Sequence, residues 1–217
     1  MPYLKPLVLL GPPGCGKGTQ CVKLVDLFGY VRVATGDLIR NEIASQTPLG
    51  QSVSALLDSG ELVSDAIVCQ MVSSFLAIPR SSPMFLFDGF PRTLAQAQHV
   101  FLSVDSSPLE SFVVANISVP VDVVVSRILS RLVCNHCAYV FSATHHNLKA
   151  GLICPKCKDG HLSFRSDDSE SVVRRRYKIF SQENEGLLRF FGDRVVTIDG
   201  NQSQEHVFDD ILRLICK

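Results

Sequence analysis

The chain has 217 residues, 46% of them hydrophobic, and its 21 lysines and arginines balance 21 aspartates and glutamates. That hydrophobic content excludes a disordered chain, and zero net charge gives no global attraction to nucleic acid or acidic membranes. No apolar run approaches the ~20 residues of a membrane span, and residues 7–10 are too short for a signal-peptide core. A soluble cytoplasmic protein of one domain with insertions is expected, with no nucleic-acid or membrane partner.

The first predicted unit is the most informative. Residues 7–10 (Leu-Val-Leu-Leu) read as a buried strand, and residues 20–28 are apolar at helical spacing. Between them runs Gly11-Pro-Pro-Gly14-Cys15-Gly16-Lys17-Gly18-Thr19. Strand, glycine-rich turn and helix form the setting of a phosphate-binding loop. Its glycines let backbone N–H groups converge on an anion, and the helix N-terminus adds the positive end of its dipole. Lys17 supplies a full charge for distal phosphates. Gly18 occupies the place where this pattern usually has serine or threonine, and Thr19 follows one residue later. Magnesium ligation by a hydroxyl at 18 is therefore impossible, and the metal is expected to be held through water or by another carboxylate.

Apolar runs at residues 30–34, 84–87, 112–117 and 195–198 read as further strands. Helical patterns separate them, at 37–44, 49–57, 65–77, 94–102, 121–129, 169–191 and 205–215. This alternation predicts an α/β fold, a five-stranded parallel sheet doubly wound by helices, with ligands at the carboxyl ends of the strands. Thr35 is expected to cap a helix starting near Gly36, with Arg40 one turn on and able to reach a phosphate. Residues 60–65 read as a helix stop, a turn and a new cap at Ser64.

Asp88-Gly89-Phe90-Pro91-Arg92 ends the third run. Asp88 is placed to organise magnesium-bound water, Gly89 permits close backbone approach, and the planar fork of Arg92 suits phosphate oxygens. Gln96 follows at helical spacing, where its amide can read a base edge. Arg127 and Arg131 share one helix face at i and i+4, a mild repulsion that a polyphosphate would offset.

The pattern then breaks. Cys134, Cys137, Cys154 and Cys157 form C-x2-C-x16-C-x2-C, the spacing of two zinc knuckles closing a tetrahedral site. Four thiolates leave no open position, so the zinc is expected to be structural. The other four cysteines, Cys15, Cys21, Cys69 and Cys216, are scattered and read as small apolar residues rather than disulfide partners. Downstream, Arg165 and Arg176 can both point back toward the strand ends, whereas Arg174 and Arg175 read as solvated. Gln202 follows a strand end and tight turn whose backbone is placed to contact a purine.

Lys17, Arg40, Arg92, Arg127, Arg131, Arg165 and Arg176 exceed the cations one triphosphate needs. They suit two phosphate-bearing ligands end to end, with a phosphoryl group passed between them. No nucleophile or base is required, because an acceptor phosphate monoester, with a second pKa of about 6, is largely ionised at neutral pH. The loop at 11–19, Thr35-Gly-Asp-Leu-Ile-Arg40, Asp88 to Arg92 with Gln96, and Arg165 to Arg176 together resemble adenylate kinase, and the four-cysteine insertion resembles its long-lid, zinc-bearing bacterial form.

That resemblance implies the reaction MgATP + AMP ⇌ 2 ADP, with Mg²⁺ accompanying ATP, a structural Zn²⁺, and a monomer as the default state. It implies a core domain (1–33, 64–129 and 169–217), an AMP-binding insertion (34–63) and a lid (130–168). By match, Gly14, Cys15, Gly16, Lys17, Gly18, Thr19, Arg127, Arg131, Val140, Phe141 and Gln202 would hold ATP, with the flat Phe141 ring where the lid covers adenine. Thr35, Arg40, Glu61, Leu62, Val63, Gly89, Phe90, Pro91, Arg92 and Gln96 would hold AMP, with Arg165 and Arg176 bridging toward the transferring group. Gln202 and Ser203 depart from the lysine and proline usual there, and Phe141 stands where tyrosine is common. Competing readings are a kinase for another nucleoside monophosphate or with GTP as donor, and, remotely, a nucleic-acid-binding module with a cysteine knuckle.

Overall fold

The computed structural model describes residues 4–58, 63–78, 84–102, 111–137, 139–144, 147–165 and 168–216. Five parallel strands form the central sheet: β1 (Leu7–Leu10), β2 (Val31–Ala34), β3 (Phe85–Asp88), β4 (Val113–Ser118) and β8 (Val195–Asp199), in the order β2-β3-β1-β4-β8. The helices among the described residues are α1 (Lys17–Phe28), α2 (Thr35–Ala44), α3 (Pro48–Asp58), α4 (Asp65–Ala77), α5 (Leu94–Leu102), α6 (Val121–Leu129), α7 (Glu170–Phe191) and α8 (Gln204–Ile215).

Strand alternation divides the core. Leu7 and Leu9 face one cluster with Leu24 of α1, Ile128 of α6 and Ile211 of α8. Val8 and Leu10 face the other, with Val72 of α4, Val100 of α5 and Phe191 of α7. Both faces of the sheet are thus buried, which explains why its strands read as continuous apolar runs. The chain leaves β1 for β2, beyond β3, and leaves β3 for β4, beyond β1. The carboxyl ends of these adjacent strands, Leu10 and Asp88, open onto one crevice, as expected where connections diverge.

The predicted helices are present with ends shifted by two residues or fewer. Ser64 caps α4 as expected, accepting from the Ile67 N–H at 3.5 Å. Thr35 does not cap α2. Strand β2 runs straight into that helix, Ala34 takes the extended cap conformation, and Thr35 is already the first helical residue, buried, with no side-chain cap bond. Arg174 is also not merely solvated: it pairs with Glu170 at 2.8 Å and Asp122 at 2.9 Å.

Between α6 and α7 the chain forms a separate antiparallel sheet, β5 (Arg131–Cys134), β6 (Val140–Ser142) and β7 (Leu162–Ser163), ordered β6-β5-β7. Its small core joins Leu132, Phe141 and Leu162 to Cys134 and Cys154.

Candidate active site

The phosphate loop occupies residues 11–16, directly after β1. Gly14 has φ 79°, and a Cβ there would stand 2.6 Å from Ile128 Cγ1 of α6. Backbone conformation and close approach both therefore require glycine at this turn. Lys17 opens α1 and folds its ammonium over the loop, donating to Gly11 O at 2.5 Å and Pro12 O at 3.0 Å, with Cys15 Sγ at 3.5 Å. The loop carbonyls thus hold this charge at the mouth of the helix. Cys15 is buried beneath it.

Asp88 ends β3 beside Leu9. Its carboxylate is clamped by Arg32 of β2, through Nη2 at 2.5 Å and Nε at 3.1 Å to the same oxygen. Burial, then the charge of Asp88, pushes the Cys21 thiol of α1 upward, so Cys21 faces the carboxylate as a neutral group. Carboxylate oxygen is the donor chemistry magnesium takes. Asp88, beside the strand that leads into the phosphate loop, fits a magnesium held through water, since Gly18 at the start of α1 has no hydroxyl.

Across the crevice, Arg92 returns its Nε to Gly89 O at 2.9 Å. Its guanidinium is held below its usual range by partial desolvation and by the positive charge of Arg176. Arg92, in the turn after β3, and Arg176, of α7, thus share a field that an anion nearby would relieve. Arg92 thus lies within the electrostatic reach of Arg176. Arg165 is exposed, where the lid insertion returns toward α7, and its carbonyl accepts from the Asp168 N–H at 3.3 Å.

Gln96 is buried in α5, and both ends of its amide are tied. Oε1 accepts from the Arg92 backbone N–H at 2.8 Å, and Nε2 donates to Asp65 Oδ1 at 2.7 Å. The second Asp65 oxygen accepts from Thr93 Oγ1 at 2.6 Å. An N–H can only donate and an ionised carboxylate can only accept, so the amide cannot flip. One N–H and one lone pair of Gln96 remain for a ligand, in fixed order. A narrow slot lined by Thr35, Leu38, Ile39, Val68 and Met71 lies between α2 and α4. Val63 is half-buried against the neighbouring core, and Glu61 and Leu62 lie outside the described residues.

On the other side of the loop, Arg127 donates to Gly200 O at 2.9 Å, fastening α6 to the turn that carries Gln202. The Gln202 amide donates to Asp210 Oδ2 at 2.7 Å. Its side chain is thus engaged by α8, and Gly200 of the same turn donates its N–H to Ser118 O at 2.8 Å. Arg131 is held by Asp168 in a bidentate pair. Phe141 belongs to β6 of the lid sheet. Its ring is buried in the lid's own core against Tyr139, centroids 4.7 Å apart, and the adjacent Val140 is the exposed residue. Strand alternation allows only one of the two to face outward.

The four lid cysteines converge. Their sulfurs lie within 4.8 Å of one another, with Cys134–Cys157 at 3.6 Å and Cys137–Cys154 at 3.8 Å. A tetrahedral zinc with bonds of about 2.3 Å has sulfur–sulfur edges of about 3.8 Å. The backbone N–H groups of His136 and Cys137 both point to Cys134 Sγ at 3.4 Å. The cluster is compatible with a structural zinc. His145 and His146 lie outside the described residues.

The sequence pattern did not single out Arg32, Asp37, Asp65 or Asp210. An arginine between two valines, Val31-Arg32-Val33, was the available signal for the first, a lone charge inside an apolar run.

Comparison with known proteins agrees with this geometry. A family model described as adenylate kinase matches residues 9–196. An adenylate kinase of Archaeoglobus fulgidus is 36% identical over 213 residues, covering 97% of this chain and 98% of that one. Those of Thermodesulfovibrio yellowstonii and Carboxydothermus hydrogenoformans are 35% and 36% identical, each covering 97% of this chain and 99% of theirs.

Proposed function

The chain belongs to the adenylate kinase family, and on that premise we propose that it catalyses MgATP + AMP ⇌ 2 ADP by direct in-line transfer. The observation that carries the reading is the crevice itself. A phosphate loop whose carbonyls hold Lys17 follows β1, and Arg92, which feels the charge of Arg176, follows the neighbouring strand β3. A donor triphosphate on the loop then points its γ-phosphoryl toward an acceptor phosphate between the two arginines.

The residues divide as follows. Gly14 to Thr19 wrap the donor phosphates with backbone N–H groups, Lys17 moves from the loop carbonyls to the β- and γ-oxygens, and Arg127 and Arg131 neutralise the donor side. Val140 and Phe141 cover the donor base through backbone and the exposed Val140 side chain, and the turn at Gln202 meets its edge. Thr35, Arg40, Glu61, Leu62, Val63, Gly89, Phe90, Pro91 and Gln96 hold AMP. Arg165 and Arg176 reach the group in transit. No side chain needs to take a proton, because the acceptor is already ionised, and positioning with charge stabilisation provides the rate. Mg²⁺, when bound, neutralises donor phosphate charge, and Asp88 orients its water shell.

Residues 34–63 form the acceptor insertion and 130–168 the lid, around a core of 1–33, 64–129 and 169–217. The lid closes over the donor to exclude water, which would otherwise compete with AMP. Zinc on Cys134, Cys137, Cys154 and Cys157 lets this core-poor insertion keep its shape while moving as a unit. A monomer in the cytoplasm suffices, since the site draws on one chain. The zero net charge gives nucleic acid no purchase. ADP formation from MgATP with AMP, dAMP, CMP, UMP and GMP offered separately tests the reading. AMP should be strongly favoured. Preference for a pyrimidine monophosphate would keep the phosphate roles and overturn those of Gln96 and residues 61–63.

A further inference from the structure

Four alternating charges cross the crevice floor. Arg40 of α2 pairs with Asp37 one turn earlier. Asp37 is 3.3 Å from Arg32 Nη1, and Arg32 Nη2 is 2.5 Å from Asp88. The first lies on the acceptor side and the last on the metal side. Arg32 stands between two carboxylates and is shared unequally, with two contacts to Asp88 and one to Asp37. The Asp88 side chain is 12% exposed, against 38% for Arg32 and 46% for Asp37. The Asp88 carboxylate is thus largely withdrawn from water, whereas Arg32, Asp37 and Arg40 are solvated and exchange partners at little cost.

We propose that Arg32 is a positioning residue that couples acceptor binding to the metal site, by releasing Asp88 when Arg40 leaves Asp37 for the acceptor phosphate. The inference rests on the functional reading above, which assigns Arg40 to AMP. With its first partner gone, the Asp37 carboxylate draws Arg32 toward itself. Asp88 then loses a neutralising cation and regains full charge toward a magnesium-bound water. Before AMP arrives, Arg32 competes with the metal for this carboxylate. The metal shell is therefore completed in the ternary complex and is weaker in the binary one, where a fully armed triphosphate would be open to water. By linkage, the metal should tighten AMP binding by the same factor.

The test measures metal binding rather than turnover. Mn²⁺ is titrated by electron paramagnetic resonance into enzyme holding the β,γ-methylene analogue of ATP, with and without AMP, while calorimetry records AMP binding to each variant. In the wild type, AMP should tighten Mn²⁺ about fivefold or more, the lower range of site coupling. Arg32→Gln should bind Mn²⁺ more tightly without AMP and respond to AMP by less than twofold. Asp37→Asn should keep the weak Mn²⁺ affinity with or without AMP, because Arg32 then stays on Asp88. Arg32→Lys, which keeps the charge, should resemble the wild type, a rescue that a purely structural role would not produce. Mn²⁺ affinity in Arg32→Gln equal to that of the wild type, with AMP binding intact, would overturn the coupling alone. Failure of the wild type to bind AMP would overturn the functional reading, and the coupling with it.

Discussion

Arg131 and Asp168 close the lid insertion at its base. The first residue of β5 meets the residue two before α7 in a bidentate pair, Nε to Oδ2 at 2.9 Å and Nη2 to Oδ1 at 2.5 Å. The Asp168 side chain is 4% exposed and that of Arg131 18%. The two stems of the lid are therefore fastened by a nearly dry ion pair. Asp168→Ala leaves the guanidinium buried without its counter-ion. Breaking a fully buried pair costs 3–5 kcal/mol, and the residual hydration of Arg131 lowers this to about 2–3 kcal/mol. Hydrogen exchange should quicken in β5 and β6 and stay slow in β1 and β4.

The zinc site should behave as a staple. Chelation, or Cys154→Ser, should lower the melting temperature and remove exchange protection from β5 and β6, with turnover falling in step. Core strands should keep their protection, because their two clusters contain no lid residue. Loss of turnover with lid protection unchanged would contradict a structural role.

Base choice should depend on Asp65, a residue expected not to touch the nucleotide. Its carboxylate fixes which end of the Gln96 amide faces the ligand. Asp65→Asn leaves the Arg92 N–H as the one charge-independent anchor of the amide, so the Nε2 end loses its carboxylate and is held less firmly toward the base. The preference for AMP over GMP should fall roughly tenfold, the worth of about one hydrogen bond. Turnover with AMP should change less than that ratio.

Gly50 belongs to α3, where this helix crosses α2. A Cβ there would lie 2.0 Å from the Glu42 carbonyl oxygen, a backbone atom that cannot step aside. Gly50→Ala should destabilise the protein by about 3 kcal/mol, the upper end of overpacking costs. Thermal unfolding should show it, together with weakened AMP binding and near-normal binding of the ATP analogue.

Much of this was readable in the sequence because the features are local. The loop at 11–19 lies between its strand and helix in one continuous stretch, and the four cysteines carry their spacing with them. The central strands are apolar throughout because both faces are covered. What escaped were pairings between distant segments. Arg32 and Asp88 are 56 residues apart and meet only because β2 and β3 are neighbours. Gln96 and Asp65 meet through the packing of α4 on α5. Which face of β6 turned inward, and so the place of the Phe141 ring, depended on a lid core assembled from Leu132, Leu162 and two cysteines. Gly50 gave no motif, since its role is the distance between two helices.

The most direct measurement follows ATP, AMP, ADP and inorganic phosphate together by phosphorus NMR, with the zinc-loaded protein and magnesium. The account requires two ADP for each ATP and AMP consumed, no inorganic phosphate, and the same equilibrium mixture when started from ADP. Release of inorganic phosphate with AMP untouched would show transfer to water, and would contradict a crevice built to hold two nucleotides end to end.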